Sequence, residues 1–251
     1  MAQLRHALPL LLAGLATLAQ AELQIEAPAE LVGRLSPHLQ HAGGPQALRS
    51  QAGEILATEG YFSPTIEVDA LKLRIDPGPR TLIERVDLEI AGPLADERRQ
   101  ALIAGWQLPP GQPFRQEDWN KAKQQVLAEL LASEHADARL EDSRADIDVA
   151  SARAALTAHY QAGPRYRYGP LQIAGLHRFT PALVDRYNRQ VRPGEPYRAA
   201  ELQNLVSVLQ STPYFASVRA ELATDAAAID DAGNAVAPVR LQVRSEERRV
   251  G

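Results

Sequence analysis

Apolar positions along this chain recur in two periods, every second residue or every third and fourth, and the two periods follow each other in a fixed order. Residues 81–90 read as a strand, since Leu82, Val86, Leu88 and Ile90 share one parity. A helical pattern over 94–106 comes next and stops before Pro109-Pro110-Gly111, where two prolines and a glycine break a helix. The following helix carries Trp119, Ala122, Val126, Leu127 and Leu130 on one face, the spacing of a helix laid on a sheet. Strands at 138–143 and 152–160 close a unit of order βααββ.

The same order returns downstream. A strand over 171–174 precedes Thr180-Pro181, which reads as an N-cap with proline at the first helical position. Leu183, Val184, Tyr187 and Val191 make that helix amphipathic, Leu202, Leu205, Val206 and Leu209 do the same for the next, and 216–222 and 239–243 are strands. Upstream, a shorter version has a strand at 23–26, a helix bearing Leu48, Ala52, Ile55 and Leu56, and two strands within 65–75 whose turn the pattern does not place.

Short motifs show that these units are copies. Pro110-Gly111-Gln112-Pro113-Phe114-Arg115 matches Pro193-Gly194-Glu195-Pro196-Tyr197-Arg198, with the glycines 83 residues apart. Gly78-Pro79-Arg80 matches Gly163-Pro164-Arg165 at a separation of 85. Two anchors at nearly one spacing mark a tandem repeat. Gly60-Tyr61-Phe62 and Pro213-Tyr214-Phe215, each between a helix and a strand, tie the first copy to the last, whereas Glu134-His135-Ala136 stands at that place in the middle copy. Three modules result, at 22–79, 80–164 and 165–244. Only Asp76-Pro77-Gly78-Pro79 and Ala162-Gly163-Pro164 join them, so the expected shape is an arm with limited hinge motion.

The N-terminus changes the picture of compartment. Arg5 and His6 precede an apolar run over 7–18, and Ala19-Gln20-Ala21 is a small-x-small cleavage pattern, so 1–21 reads as a secretory signal peptide cut between Ala21 and Glu22. The run is shorter than the roughly 20 residues that a membrane-spanning helix needs. Export permits disulfides, yet the 251 residues contain no cysteine, so each module relies on its own core or its neighbours. A net charge of -4 with lysine and arginine dispersed gives no basic stripe for nucleic acid.

Catalytic signatures are not found. No glycine-rich nucleotide loop, nucleophile elbow or zinc-binding helix motif occurs, so the expectation is a protein that is not an enzyme and uses no cofactor. His38 and His41 could share a metal but lack a third ligand nearby and read as solvent-facing. Asp146 and Asp148 read as a solvated loop. Trp106 and Trp119 match the apolar faces in phase and are expected in the core, and Tyr61-Phe62 and Tyr214-Phe215 are expected to lock a helix onto its sheet.

The residues Gly60-Tyr61-Phe62-Ser63-Pro64-Thr65-Ile66, Gly163-Pro164-Arg165-Tyr166-Arg167-Tyr168-Gly169 and Pro213-Tyr214-Phe215-Ala216-Ser217-Val218, in that order after a signal peptide, resemble the POTRA domains of outer-membrane assembly proteins. The translocation and assembly module branch of that family is the nearest likeness. The resemblance implies an α+β fold of three tandem βααββ modules, each a three-stranded mixed sheet covered by two helices. It also implies a periplasmic location at the outer membrane and a C-terminal membrane β-barrel, which this chain does not contain; the charged tail 245–251 reads as the point where a barrel would begin.

The partners so implied are an inner-membrane-anchored TamB-like protein and unfolded outer-membrane or autotransporter polypeptides. In that family the second strand of each module lies at a sheet edge, which maps here onto Thr65, Ile66, Glu67, Val68 and Asp69, onto Ala138, Arg139, Leu140 and Glu141, and onto Ala216, Ser217, Val218 and Arg219. An edge offers unpaired N–H and C=O groups to an added strand and reads almost no sequence. The expected function is a periplasmic scaffold that binds partner and substrate chains in this way; the alternative is the POTRA region of a two-partner secretion transporter or general barrel-assembly pore.

Overall fold

A computed structural model describes residues 23–40, 43–69 and 72–245. The expected cleavage site at Ala21 and Glu22, His41 and the end of the tail lie outside these residues. By compactness the chain divides into two units, one comprising the residues up to Leu56 with Pro64–Gly78, the other Ala57–Ser63 with the chain from Pro79 onward.

The first unit runs β1 (Gln24–Glu26), α1 (Ala29–Leu39), α2 (Pro45–Thr58), β2 (Thr65–Asp69) and β3 (Lys72–Asp76). Its sheet has the order β1-β3-β2, with β1 parallel and β2 antiparallel to the central β3. Leu31, Leu35 and Leu39 from α1, Leu48, Ala52 and Leu56 from α2, and Leu73 and Ile75 from β3 are its buried side chains.

The second unit repeats the plan twice. First come β4 (Leu82–Ala91), α3 (Asp96–Ala104), α4 (Gln116–Leu131), β5 (Arg139–Asp148) and β6 (Arg153–Gln161), with sheet order β4-β6-β5. Then follow β7 (Tyr166–Ala174), α5 (Pro181–Tyr187), α6 (Ala199–Gln210), β8 (Phe215–Leu222), a 3-10 turn over Thr224–Ala226, β9 (Ala228–Ile229) and β10 (Ala235–Ser245). Here the order is β7-β10-β8, with β9 added to β10. In both sheets the outer first strand is parallel to the centre, so the two helices form the crossover that a parallel connection needs. The fold is α+β throughout, three mixed sheets each with two helices.

Packing explains where the elements depart from the pattern. Strand β5 extends to Asp148, so Asp146 and Asp148 are exposed positions of a strand paired with β6 and not a loop. Strand β7 begins at Tyr166 rather than 171, because β10 pairs with it from Ala235↔Tyr166 onward. Gly169 and Pro170 disguise that strand as a turn; a Cβ at Gly169 would stand 2.9 Å from the Ala237 backbone, which explains why glycine occupies a strand there. Helix α5 ends at Tyr187, leaving Val191 buried in the connection that follows, and Thr180 sits at the N-cap position without a side-chain cap bond.

The aromatic residues are core, with one change of partner. Trp119 is buried and meets Trp106 edge-on at 5.8 Å. Phe215 is buried and packs with Phe179 and Tyr214 at 6.1 and 6.4 Å. Residues 57–63, however, belong to the second unit, where Phe62 lies 6.0 Å from Phe114 and Arg80 stacks 5.6 Å over the Tyr61 ring. Glu59 there pairs with Arg115 at 3.0 Å.

Between the two repeats of the second unit the joint is tied by specific groups. Arg165 Nε donates to Glu134 Oε2 at 2.6 Å, Tyr166 N to Glu134 O at 2.7 Å, and the Tyr166 hydroxyl to Asp137. Ala199 N, opening α6, donates to Ala132 O at the end of α4. Ala136 packs on Tyr166, Ala235 and Ala237. Glu134-His135-Ala136 therefore helps to build the joint between these two repeats.

Candidate functional site

Each sheet has two edges, and in the two sheets of the second unit the repeated motif covers the start of one. Around Gly111, Ile83 N donates to Gln112 O, Gly111 N to Ile83 O and Phe114 N to Thr81 O, at 2.7 to 2.8 Å. Around Gly194 the same three bonds recur, Tyr168 N to Glu195 O, Gly194 N to Tyr168 O and Tyr197 N to Tyr166 O, at 2.7 to 2.9 Å. The Pro-Gly-x-Pro-aromatic-Arg segment is thus a short strand mimic that covers the start of β4 and of β7. It requires a left-handed glycine, with φ of 90° at Gly111 and 88° at Gly194. What remains at the other edge is β5 or β8.

All three expected strands occupy edges, but they differ in what they offer. Thr65, Ile66, Glu67, Val68 and Asp69 form β2, only five residues long, with Thr65, Glu67 and Asp69 exposed and Glu67 paired to Arg74. Arg139, Leu140 and Glu141 open β5. Ala138 does not belong to that strand: it is buried before it, with its N–H bound to His135 O. The β5–β6 register shifts between Leu140 and Asp142, placing Glu141 in a bulge that interrupts regular pairing. Charged Arg139, Glu141, Asp142 and Arg144 further blunt this edge. Lys123 Nζ reaches from α4 to Ser143 Oγ at 3.2 Å and spans the gap between helix and edge.

Strand β8 has a like irregularity near its start, where the β8–β10 register shifts between Phe215 and Ser217 and leaves Ala216 in a bulge, but it differs in what lies beside it. Its register with β10 is regular from Ser217 to Leu222, its buried Val218 points into the core, and Ala216, Ser217 and Arg219 are exposed. Between it and α6 runs an open groove of about 920 Å³. Leu202 and Val206 of α6, Val218, Ala220 and Leu222 of β8, and Ala136 at the joint give the groove an apolar lining, and Gln203, Ser207 and Arg219 add hydrogen-bonding groups. Tyr197, from the edge-covering motif, also lines it.

Electrostatics order the rim rather than the floor. Arg240 holds Asp225 through two bonds of 3.0 Å and lies 3.5 Å from Glu221. The hydrogen bond from Arg240 keeps the Asp225 carboxyl below the usual carboxylate range. Such an exposed pair contributes little to stability, but it fixes the guanidinium beside the exposed strand. In the core between sheet and helices, Tyr168 donates to Arg198 O at 2.8 Å, and burial pushes its phenol up to about 12.

This arrangement can accept an extended chain. The chain would bond to the β8 edge and set alternate side chains against α6, which is strand addition combined with a groove. Among the described residues no group of three or more histidines, aspartates or glutamates could hold a metal ion, and no helix is long and apolar enough to cross a membrane. The groove itself was not legible in the sequence; its signal was the apolar pair Leu202 and Val206, which the helical pattern assigns to the core.

No family model matches the sequence. Solved structures do resemble the fold. POTRA domains 3–5 of BamA from Haemophilus influenzae align over 79% of this chain and 79% of that one, at 16% identity and a TM-score of 0.50. BamA from Haemophilus ducreyi lacking POTRA domains 1–3 aligns over 67% of this chain at 15% identity and a TM-score of 0.50; the match spans 30% of that longer chain. The three sheets with their helices match POTRA domains.

Proposed function

We propose that the chain is the periplasmic arm of an outer-membrane protein-assembly and autotransporter-secretion factor of the TamA type, and that it holds unfolded polypeptide as a strand added to β8. The observation that supports this most directly is the open apolar groove between α6 and an edge strand that pairs regularly from Ser217 to Leu222, in a sheet whose other edge is covered at its start by the repeated motif. Backbone bonding at an edge accepts many sequences, as an assembly factor requires. About four bonds at ~0.5 to 1.5 kcal/mol net each, before the cost of association, make the interaction weak enough for hand-over.

On this reading 1–21 is a cleaved signal peptide, the arm acts in the periplasm at the outer membrane, and an inner-membrane-anchored TamB-like protein is the partner. The chain acts as a binding scaffold and not as an enzyme. The test is an NMR titration with a peptide from the last strand of an outer-membrane barrel, at several salt concentrations. Amide shifts are expected along Ala216–Leu222, with little dependence on salt. Shifts spread over helix surfaces and abolished by salt refute strand addition.

A further inference from the structure

Helix α6 has a second concave side. Residues 202, 203, 206 and 207 face the β8 groove, whereas 201, 204, 205 and 208 line a separate cleft of about 610 Å³ against the end of α5 and the connection after it. Arg186, Arg189 and Gln190 stand on its wall, and an adjoining cleft of about 380 Å³ carries Arg189, Arg192 and Arg198 together with the carboxylates Glu195 and Glu201. All four arginines are exposed. Arg198 lies 3.8 Å from Glu201, the carboxylate of the first wall, while Arg186, Arg189 and Arg192 have no carboxylate within ion-pair distance among the described residues.

The connection that bears them is built, not loose. Asn188 is buried, and its side chain is spent on the loop itself: Val191 N donates to Oδ1 at 3.0 Å and Nδ2 donates to Val191 O at 2.7 Å. Arg192 Nη2 donates to Asn188 O at 2.7 Å, and Asn204 Nδ2 donates to Gln190 Oε1 at 3.1 Å. The guanidinium groups are therefore carried on a pre-ordered frame, which lowers the entropy lost when an anion binds.

The internal repeat supplies a control for what the fold itself needs. Aligned on Gly111 and Gly194, the positions of Arg186, Arg189 and Arg192 are Ile103, Trp106 and Pro109 in the preceding module. The same helix–connection–helix plan thus forms with no charge at any of the three sites. We infer that the two adjoining clefts carrying Arg186, Arg189 and Arg192 are a docking site for an acidic segment of a partner polypeptide, separate from the β8 groove.

A carboxylate-bearing chain suits it better than a membrane does. The surface is a cleft, guanidinium forks pair with carboxylates in a fixed plane, and Asn204 and Gln190 supply further hydrogen bonds. A membrane-binding face would present apolar anchors, yet the large apolar side chains exposed among the described residues are Val149 and Ile229, and neither lines the cleft.

The test uses the whole chain, a fluorescent peptide of alternating Glu and Gly, and vesicles containing phosphatidylglycerol. In Arg186→Gln/Arg189→Gln/Arg192→Gln, affinity for the peptide is expected to fall roughly tenfold or more, with a flatter salt dependence. A charge-matched control, Arg49→Gln/Arg85→Gln/Arg153→Gln, is expected to bind as the parent does, and the triple cleft variant is expected to keep its affinity for a barrel-strand peptide at β8. Retention of the last property separates this inference from the function proposed above. Equal loss in both variants, no binding of the acidic peptide by the parent, or vesicle binding that the cleft variant loses while peptide binding persists overturns it.

Discussion

The ammonium of Lys123 lies 3.2 Å from the Ser143 hydroxyl, bridging α4 to its edge strand, whereas Val206, the residue that the repeat aligns with Lys123, lines an open groove. Burial lowers the affinity of the Lys123 amine for its proton, and the same amine stands 4.7 Å over the Trp119 ring. The expectation is that this position governs how much room helix and edge leave for a strand. Val206→Lys is expected to weaken peptide binding at β8 about tenfold, or ~1.4 kcal/mol. Lys123→Ala is expected to bring new amide shifts along β5 in the same titration. Unchanged binding in both variants places the peptide elsewhere.

Phe215 and Tyr214 share a sequence motif but not an environment. Phe215 is 4% exposed between α6 and the sheet, whereas Tyr214 is half-buried. Phe215→Ala is expected to cost ~3 to 5 kcal/mol and Tyr214→Ala clearly less. Urea unfolding followed by the NMR signals of β10 measures both, and equal costs would contradict the packing described.

Two glycines test two kinds of constraint. Gly194 has φ of 88° with open space around its Cβ position, so Gly194→Ala is expected to cost ~1 to 2 kcal/mol through backbone strain alone. Gly169 lies in a strand where a Cβ would meet the Ala237 carbonyl carbon at 2.9 Å, so Gly169→Ala must also displace β10. The expected signature is a modest loss of stability with unchanged β7–β10 amide shifts in the first variant, and shifts along both strands in the second.

His135, at the joint, is buried with Nδ1 unpartnered, and desolvation holds its pKa below 6.5. The unfolded chain therefore takes up more protons than the folded one as pH falls below 6.5. The stabilising contribution is complete above that value and is lost on acidification toward the folded pKa. Thermal melts across pH 5 to 8, an interval of about three units around the ordinary imidazole value, are expected to show a shallower acid loss in His135→Gln than in the parent. Parallel pH profiles would remove His135 from the joint's acid response.

Much of the fold was legible because its signals are local. Trp119, Ala122, Val126 and Leu130 fall on one helical face in the sequence and are buried on that face in the structure. The motif around Gly111 and Gly194 announced a repeat by its spacing, although its work as an edge cover depends on bonds to strands about 30 residues upstream and could not be read from it. Strand β7 was half hidden, since Gly169 and Pro170 carry turn chemistry and only the close approach of β10 makes them strand residues.

The sequence by itself determined the order of elements, the number of copies and which side chains are apolar, because hydrophobic period and turn chemistry act over a few residues. Tertiary structure decided which edges stay open. Glu141 is a bulge only when β5 is set against β6, Lys123 meets Ser143 only when α4 lies beside β5, and Arg186, Arg189 and Arg192 share two adjoining clefts only after Asn188 folds their connection against α6. Edges and clefts are properties of pairs of distant segments, and their register and separation are settled by packing that no local pattern records.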